Sequence, residues 1–210
     1  MIIIIAHHQF QESKYPIINC SNIYLPWKGQ ATLMSPSGSG KTTFFRVLSG
    51  WYSENHHTQC QYSNDIDIFK GIRFIGGHRS LLPWKTVYGN FRLHFPRKKK
   101  ALFYQYLEEL DLNHNVSKLY PYELSVGMYK RIELILAVMS NPNLLLLDEY
   151  YTSIDDDRKD LVQCFLNKHR GTKLTWVTVH ENNLRDWISG KSFHFTFADN
   201  GYTVTGIVEA

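Results

Sequence analysis

The stretch Ser35-Pro36-Ser37-Gly38-Ser39-Gly40-Lys41-Thr42-Thr43 decides the fold. It follows a predicted strand at residues 30–34 and precedes a predicted helix at residues 44–48. In a glycine-rich turn between a strand and a helix, the backbone N–H groups converge on one point. The positive end of the helix dipole is directed at the same point. The stretch therefore predicts a phosphate-binding loop.

Two side chains of this loop have predicted roles. Lys41 would reach the β- and γ-phosphates of a nucleotide, and the Thr42 hydroxyl would hold Mg²⁺. The pattern G-x-x-x-x-G-K-[ST] is matched except at its first position, where Ser35 replaces glycine and has to accept a less favourable backbone conformation. The residues predicted to contact the nucleotide here are Ser35, Pro36, Ser37, Gly38, Ser39, Gly40, Lys41, Thr42 and Thr43.

Composition excludes several classes of protein. The 210 residues predict one compact domain, and the net charge of +4 is too small to indicate nucleic-acid binding. Three widely separated cysteines form no disulfide framework and suit a reducing cytosol. We interpret His56-His57 and Cys60 as part of a solvated hairpin, because no fourth ligand has a zinc-like spacing. No apolar run approaches the roughly 20 residues that span a bilayer, so any membrane role would require a partner.

A second chemical motif follows a predicted buried strand at residues 144–147. Asp148 at the carboxyl end of that strand would hold Mg²⁺ through water, and Glu149 would orient and deprotonate an attacking water. His180 ends another predicted strand, at residues 173–179. It would contact the γ-phosphate or hold the attacking water. The predicted catalytic residues are therefore Glu149, His180 and Lys41, with Thr42 and Asp148 as the Mg²⁺ site.

The remaining pattern predicts alternating strands and helices. Strands are expected at residues 2–6, 17–25, 66–69 and 72–75, and a closing hairpin at residues 193–208. Helices are expected at residues 132–140 and 156–168, with a short one near 183–188. The basic residues 97–100 are interpreted as a solvated helix start, and contact with anionic lipid or a partner stays open.

The order of these motifs resembles the ATP-binding cassette family. Residues 124–128, Leu-Ser-Val-Gly-Met, resemble its signature motif; Tyr120-Pro121 precede them and Arg131 follows. Residues 152–155, Thr-Ser-Ile-Asp, resemble its D-loop, and His180 resembles its switch histidine. The resemblance covers nearly the whole chain.

The resemblance implies an α/β fold with a P-loop NTPase core. This core has a mixed, mainly parallel sheet, an N-terminal antiparallel β subdomain and an α-helical signature subdomain. Residues 1–210 would form a single ATPase domain, with 1–76 and 141–210 as the core and about 77–140 as the helical subdomain.

The resemblance also implies a mechanism with ATP and Mg²⁺ as cofactors. Two cassettes, identical or different, would dimerise, and Ser125 and Gly127 of one would complete the ATP site of the other. Asp155 would also contact this site, and Phe10 or Tyr15 would stack on adenine. The partners would be a second cassette and a transmembrane permease, without nucleic acid. The protein would be cytoplasmic and peripheral on the inner face of the cell membrane.

Several residues depart from the family pattern. Gly77 stands where the family has a glutamine, with His78 beside it, and Val126 replaces the first signature glycine. Tyr150 replaces the proline that usually follows the catalytic glutamate. These departures favour slow hydrolysis. They leave open a second function, that of a degenerate, nucleotide-dependent regulatory subunit in a heterodimer.

The branch of the family is also open. Residues 81–87, followed by Asn90, are similar to importers of the nitrate, sulfonate and taurine type. The Gly77-His78 pair and the Thr152–Asp155 segment are similar to the cassette of the haem exporter of cytochrome c biogenesis. A cassette of the DNA-repair or chromosome type is a third alternative, disfavoured because the sequence contains no long coiled-coil insertion.

Overall fold

The computed structural model describes residues 2–9, 18–25, 29–34, 37–52, 58–62, 71–77, 79–170, 173–179, 191–198 and 201–208. The predicted strand at residues 66–69 and the short helix near 183–188 lie outside these residues. None of the described helices is long and apolar enough to cross a bilayer.

The described strands form one nine-stranded sheet in the order β4-β1-β2-β9-β8-β3-β7-β6-β5. Their bounds are β1 Ile2–His8, β2 Ile18–Leu25, β3 Gln30–Met34, β4 Thr58–Tyr62, β5 Ile72–Ile75, β6 Leu144–Leu147, β7 Leu174–Val179, β8 Lys191–Ala198 and β9 Gly201–Val208. Strand β3, which leads into the glycine-rich loop, lies between β7 and β8 and is parallel to both.

The sheet is mixed, as predicted. Strands β3, β7, β6 and β5 are mutually parallel, whereas β4, β1 and β2 pair antiparallel. The antiparallel strands do not form a separate sheet: β2 pairs parallel with β9, which in turn forms an antiparallel hairpin with β8. The predicted α/β fold is confirmed, and the antiparallel strands continue the central sheet.

Apolar strand sequences explain the core around β3, β6 and β7. All four leucines of β6 are buried, and all six residues of β7 are buried, including Trp176. Continuous apolar runs of this kind are typical of parallel strands covered on both faces. Helix α1, Lys41–Leu48, contributes the buried side chains Phe44, Phe45, Val47 and Leu48 to the same core.

The chain divides into two compact units. The first comprises Met1–Gly76, Asn143–Glu149 and Thr172–Ala210, and the second comprises Gly77–Pro142 and Tyr150–Gly171. The prediction placed residues 150–171 in the core. In the structure they belong to the helical unit, because helix α5 packs against helix α4 of that unit. Gly77 and Tyr150 are the first residues of the two segments of the helical unit.

The helical unit contains four described α-helices: α2 Val87–His94, α3 Lys100–Glu109, α4 Val126–Met139 and α5 Asp156–Arg170. Helix α4 begins six residues before the predicted residue 132, because Ser125 accepts a hydrogen bond from the backbone N–H of Met128 and so forms its N-cap. Helix α5 has acidic residues in its first turn and basic residues in its last, which complements the helix dipole.

Glu109 joins α3 to α5 within the helical unit. Its carboxylate accepts hydrogen bonds from Lys168 at 2.9 Å, from Gln105 at 2.8 Å and from the ring of His169. Burial alone would raise the pKa of Glu109. The hydrogen bonds from His169, Lys168 and Gln105 outweigh that effect and lower the pKa to about 2. The ionised carboxylate therefore stabilises the fold.

Replacing Glu109 with Gln should lower the free energy of unfolding at pH 7 by about 1 kcal/mol or more, because the charged partners lose their carboxylate. The folded-state pKa lies below the unfolded value of about 4.3, so this stabilisation is present above pH ~4.3 and lost as pH falls towards 2. Urea unfolding at pH 7 and at pH 3 measures the difference.

The matched control is Glu108→Gln on the same helix. Glu108 forms an exposed ion pair with His114 at 2.8 Å, which should contribute at most about 0.5 kcal/mol. An equal loss in both variants, or a Glu109→Gln effect that does not shrink towards low pH, would contradict the assignment.

Candidate active site

The glycine-rich loop connects the buried end of β3 to the first residue of α1. Gly38 and Gly40 have φ angles of +79° and +88°, in the left-handed region that favours glycine. Gly40 is the N-cap of α1, and its carbonyl accepts the N–H of Phe44 at 2.8 Å. The turn therefore ends at the positive pole of a helix, in the arrangement expected of an anion site.

Lys41 is the first residue of α1 and only 4 % exposed. Its Nζ donates to the hydroxyl of Ser39 at 3.4 Å. A cation at a helix N-terminus is repelled by the helix dipole, and the first turn of α1 contains no acidic residue. An anion bound in the loop would offset both the burial of the ammonium and this repulsion.

The carboxylate of Asp148 lies where the carboxyl ends of the parallel strands meet. One oxygen accepts a hydrogen bond from Thr42 at 2.6 Å, and the other accepts one from Thr178 at 2.8 Å. The backbone N–H of Asp148 donates to the carbonyl of Ile75 at 2.8 Å. Thr178 belongs to β7, which lies between β3 and β6, the strand that precedes Asp148. The sequence prediction that Thr42 and Asp148 form one site is consistent with this contact.

The same oxygens suit a hard divalent cation. Mg²⁺ binds through carboxylate and hydroxyl oxygens together with water and phosphate oxygens. Thr42 and Asp148 offer one hydroxyl and one carboxylate within hydrogen-bonding distance of each other. The donor set therefore fits Mg²⁺, and Thr42 and Asp148 are the residues that would hold it.

Glu149 follows directly and has an unusual backbone. Its φ angle is +46°, which is rare for a residue other than glycine. Its N–H donates to the hydroxyl of Thr178 at 2.8 Å. Strain of this kind persists only where the surroundings fix it, and it is concentrated at functional sites.

Five predicted residues lie outside the described part of the chain. They are Ser35, Pro36, Phe10, Tyr15 and His180. His78, the neighbour of Gly77, lies outside it as well. Their proposed roles stay predictions. Gly77 is exposed, and a Cβ added there would meet no atom within 4 Å among the residues that the structure describes.

The signature residues lie at the start of α4, in the helical unit. Ser125 is exposed and caps the helix, and Gly127 lies in its first turn, with its carbonyl accepting the Nε–H of Arg131 at 3.2 Å. Val126 is 55 % exposed. Within this chain its side chain is directed at solvent and does not obstruct the helix start.

Tyr150 is an anchor that the sequence did not reveal. It is 0 % exposed, its hydroxyl donates to the carbonyl of Lys130 at 3.0 Å, and Lys130 Nζ donates back to the carbonyl of Tyr150 at 3.0 Å. The ammonium of Lys130 also lies 5.6 Å from the centre of the Tyr150 ring. Tyrosine in place of proline therefore attaches residue 150 to helix α4, which is called the signature helix below because the signature residues lie at its start. A proline has neither the aromatic ring nor the hydroxyl for these contacts.

The signature helix also holds the segment that follows Gly77. Buried Glu133 accepts hydrogen bonds from the hydroxyl of Ser80 at 2.6 Å and from its backbone N–H at 3.0 Å. The hydroxyl of Tyr129, one helical turn earlier, accepts the N–H of Leu81 at 2.8 Å. The sequence signal was a single glutamate within the apolar run 132–139, where a buried charge requires partners.

Asp155 is exposed in the segment before α5. Its carboxylate accepts a hydrogen bond from Arg158 at 3.4 Å, and Arg158 also pairs with Asp111 at 3.1 Å. Asp155, Ser125 and Gly127 thus belong to the helical unit, whereas the loop, Asp148 and Glu149 belong to the sheet unit.

A comparison with protein families identifies the chain. Residues 20–152 match the model described as ABC transporter. The chain belongs to the ABC transporter family. This membership confirms the resemblance given by the order of the loop, signature and Asp148-Glu149 motifs.

Curated relatives of this ABC protein include import ATP-binding subunits. The aliphatic sulfonates import ATP-binding protein SsuB of Bacillus subtilis is 33% identical over 161 residues, covering 70% of this chain and 60% of the relative. The sulfate/thiosulfate import ATP-binding protein CysA of Escherichia coli K12 is 28% identical over 194 residues, 85% of this chain and 53% of the relative. The chain thus spans only about half to three fifths of the length of these relatives.

Solved structures share the fold. The dimeric structure of MJ0796, a bacterial ABC transporter cassette, matches with a TM-score of 0.75 at 19% identity, covering 100% of this chain and 98% of that chain. A post-hydrolysis dimer of MJ0796 bound to ADP and Pi has the same values.

Replacing Tyr150 with Phe should lower the free energy of unfolding of the ABC chain by about 1 kcal/mol, because one buried hydrogen bond to Lys130 is lost while the ring remains. Tyr150→Ala should cost about 3–5 kcal/mol, because it also leaves a cavity. Urea unfolding of both variants measures these losses. Tyr122→Phe is the control, since Tyr122 is 67 % exposed, and its effect should stay below about 0.5 kcal/mol. Equal effects of Tyr122→Phe and Tyr150→Phe would contradict the anchor.

Proposed function

We propose that this chain is the ATP-binding and ATP-hydrolysing subunit of an ABC transporter. The observation that carries the proposal is the contact between Thr42 and Asp148 beside the glycine-rich loop and Lys41. A buried lysine, a hydroxyl and a carboxylate in this arrangement suit a Mg²⁺-bound nucleotide triphosphate. Family membership and the import ATP-binding relatives support the same function.

The residues of the loop bind and orient the phosphates in this proposal. The N–H groups of residues 37–43 and the start of α1 hold the β- and γ-phosphate oxygens, and Lys41 neutralises part of their charge. Mg²⁺ would be held by Thr42 and Asp148 and would reduce the charge on the oxygens that it contacts. Phe10 or Tyr15 would stack on the adenine.

Glu149 is the proposed general base. Its carboxylate would accept a proton from the attacking water, and His180 would hold that water or the γ-phosphate in place. The left-handed backbone of Glu149 and its hydrogen bond to Thr178 support this role, because they hold the Cα atom of Glu149, and so the base of its side chain, in one position.

A second cassette would complete the site. Ser125 and the N-terminal turn of α4 carry hydroxyl and N–H donors suited to the γ-phosphate, and no acidic residue in that turn opposes an anion. Gly127 and Asp155 would lie at the same interface. The dimeric MJ0796 structures, which share the fold, support the pairing of two cassettes.

The proposed membrane partner is a permease, as in a transporter whose ATPase subunit lies on the cytoplasmic face of the membrane. The import relatives favour the importer branch over the haem exporter branch. Closure of two cassettes on ATP and their reopening after hydrolysis would drive the permease.

The proposed ATPase activity can be tested with the purified chain. Glu149→Gln should lower the turnover of Mg-ATP by about 10²-fold or more while ATP still binds, because only the proton acceptor is lost. Lys41→Ala should abolish both binding and turnover. Phosphate release measures turnover, and fluorescence titration with a labelled ATP measures binding. A Glu149→Gln variant as fast as the parent chain would disprove the assigned base.

The alternative function is a weakly hydrolysing regulatory cassette. The absence of a side chain at Gly77 and the branched Val126 at the start of α4 favour it. Gly77→Gln fits open space, and Val126→Gly removes the branched side chain. If these departures limit hydrolysis, the double variant should raise turnover about tenfold. An unchanged rate in a chain that already hydrolyses ATP would favour the transport ATPase.

A further inference from the structure

Thr178 lies near the end of β7, between the strand that leads into the phosphate loop and the strand that ends at Asp148. It is 1 % exposed. Its hydroxyl donates to the Oδ1 atom of Asp148 at 2.8 Å and accepts the backbone N–H of Glu149 at 2.8 Å. One buried hydroxyl therefore contacts both members of the acidic pair.

We propose that Thr178 is a positioning residue for hydrolysis, which sets Asp148 to hold Mg²⁺ and Glu149 to activate water. The proposal rests on the proposed ATPase function. Thr178 acts through these two residues and is not itself placed against the nucleotide.

The chemistry of the hydroxyl suits this task. A hydroxyl can donate and accept at the same time, so it satisfies a carboxylate oxygen and an N–H group together. Threonine is restricted about χ1 by its branched Cβ, which keeps the hydroxyl in one direction. The hydrogen bond to Oδ1 leaves Oδ2 of Asp148 directed at Thr42, at 2.6 Å.

Loss of the hydroxyl would release both acidic residues. The N–H of Glu149 would lose its partner at a residue whose φ angle of +46° is already unfavourable. The carboxylate of Asp148 would lose one of the two side-chain hydrogen bonds that hold it and would keep only that from Thr42. An error of about 1 Å in a catalytic group can cost about 10²-fold in rate.

The variant Thr178→Val tests the proposal, because valine has nearly the shape of threonine and lacks the hydroxyl. Turnover of Mg-ATP should fall at least tenfold, whereas the affinity for ATP measured without Mg²⁺ should stay within twofold of the parent. The increase in ATP affinity on adding Mg²⁺ should be lost or reduced. Thr178→Ser restores the hydroxyl and should recover most of both properties.

The matched control is Thr32→Val, which removes a hydroxyl from a buried threonine of the neighbouring strand β3. Among the described hydrogen bonds, none joins the side chain of Thr32 to Asp148 or Glu149. Thermal unfolding of the nucleotide-free variants shows whether each one is folded. If Thr178→Val and Thr32→Val change turnover and the Mg²⁺ dependence equally, the proposal is overturned.

Amide exchange separates this proposal from the proposed function, because it requires no nucleotide. The N–H of Glu149 should exchange at least tenfold faster in Thr178→Val than in the parent, and no faster in Thr178→Ser, when followed by NMR. Unchanged exchange, or a serine variant as impaired as valine, would refute the positioning role. A parent chain that does not hydrolyse ATP would refute the proposed function but would leave this exchange result to decide whether Thr178 fixes Glu149.

Discussion

The position of Asp148 depends on hydrogen bonds to two strands of the parallel sheet and to helix α1. Its N–H binds the carbonyl of Ile75 on β5, and its two carboxylate oxygens accept from Thr178 on β7 and Thr42 on α1. The carboxyl ends of parallel strands are where ligands bind in α/β sheets. The order β3-β7-β6-β5 brings these groups together although they are far apart in sequence. A shift of any one strand would displace the carboxylate.

In the helical unit, helix α4 is the element to which several neighbouring segments are hydrogen-bonded. Its first turn carries the signature residues, and the next two turns hold neighbouring segments through Tyr129, Lys130 and Glu133. Arg131, also buried, donates to the carbonyl of Leu110 at 2.7 Å, at the end of α3. The polar side chains of this largely apolar helix therefore hold neighbouring segments against it. Each one forms a hydrogen bond with a backbone group of a neighbouring segment.

The departures from the family pattern have different structural meanings. Val126 is exposed at a helix start and is compatible with the local fold. Tyr150 is buried and tied to the signature helix, so it replaces a rigid proline with a side-chain anchor. A Cβ added at Gly77 would have no atom of the described residues within 4 Å. Comparison with the family pattern shows that each residue is substituted. It does not show whether the new side chain is exposed or buried, because these positions are not part of a regular apolar repeat.

The sequence by itself determined the α/β fold and the family, and it predicted the phosphate loop and the Asp148-Glu149 site, because these depend on local chain geometry and on apolar runs. Only the tertiary structure decided three other features: the hydrogen bonds of Thr178, the anchor at Tyr150 and the membership of residues 150–171 in the helical unit. Each depends on hydrogen bonds or packing between segments distant in sequence. Such contacts are fixed by strand order and helix packing, which no local pattern encodes.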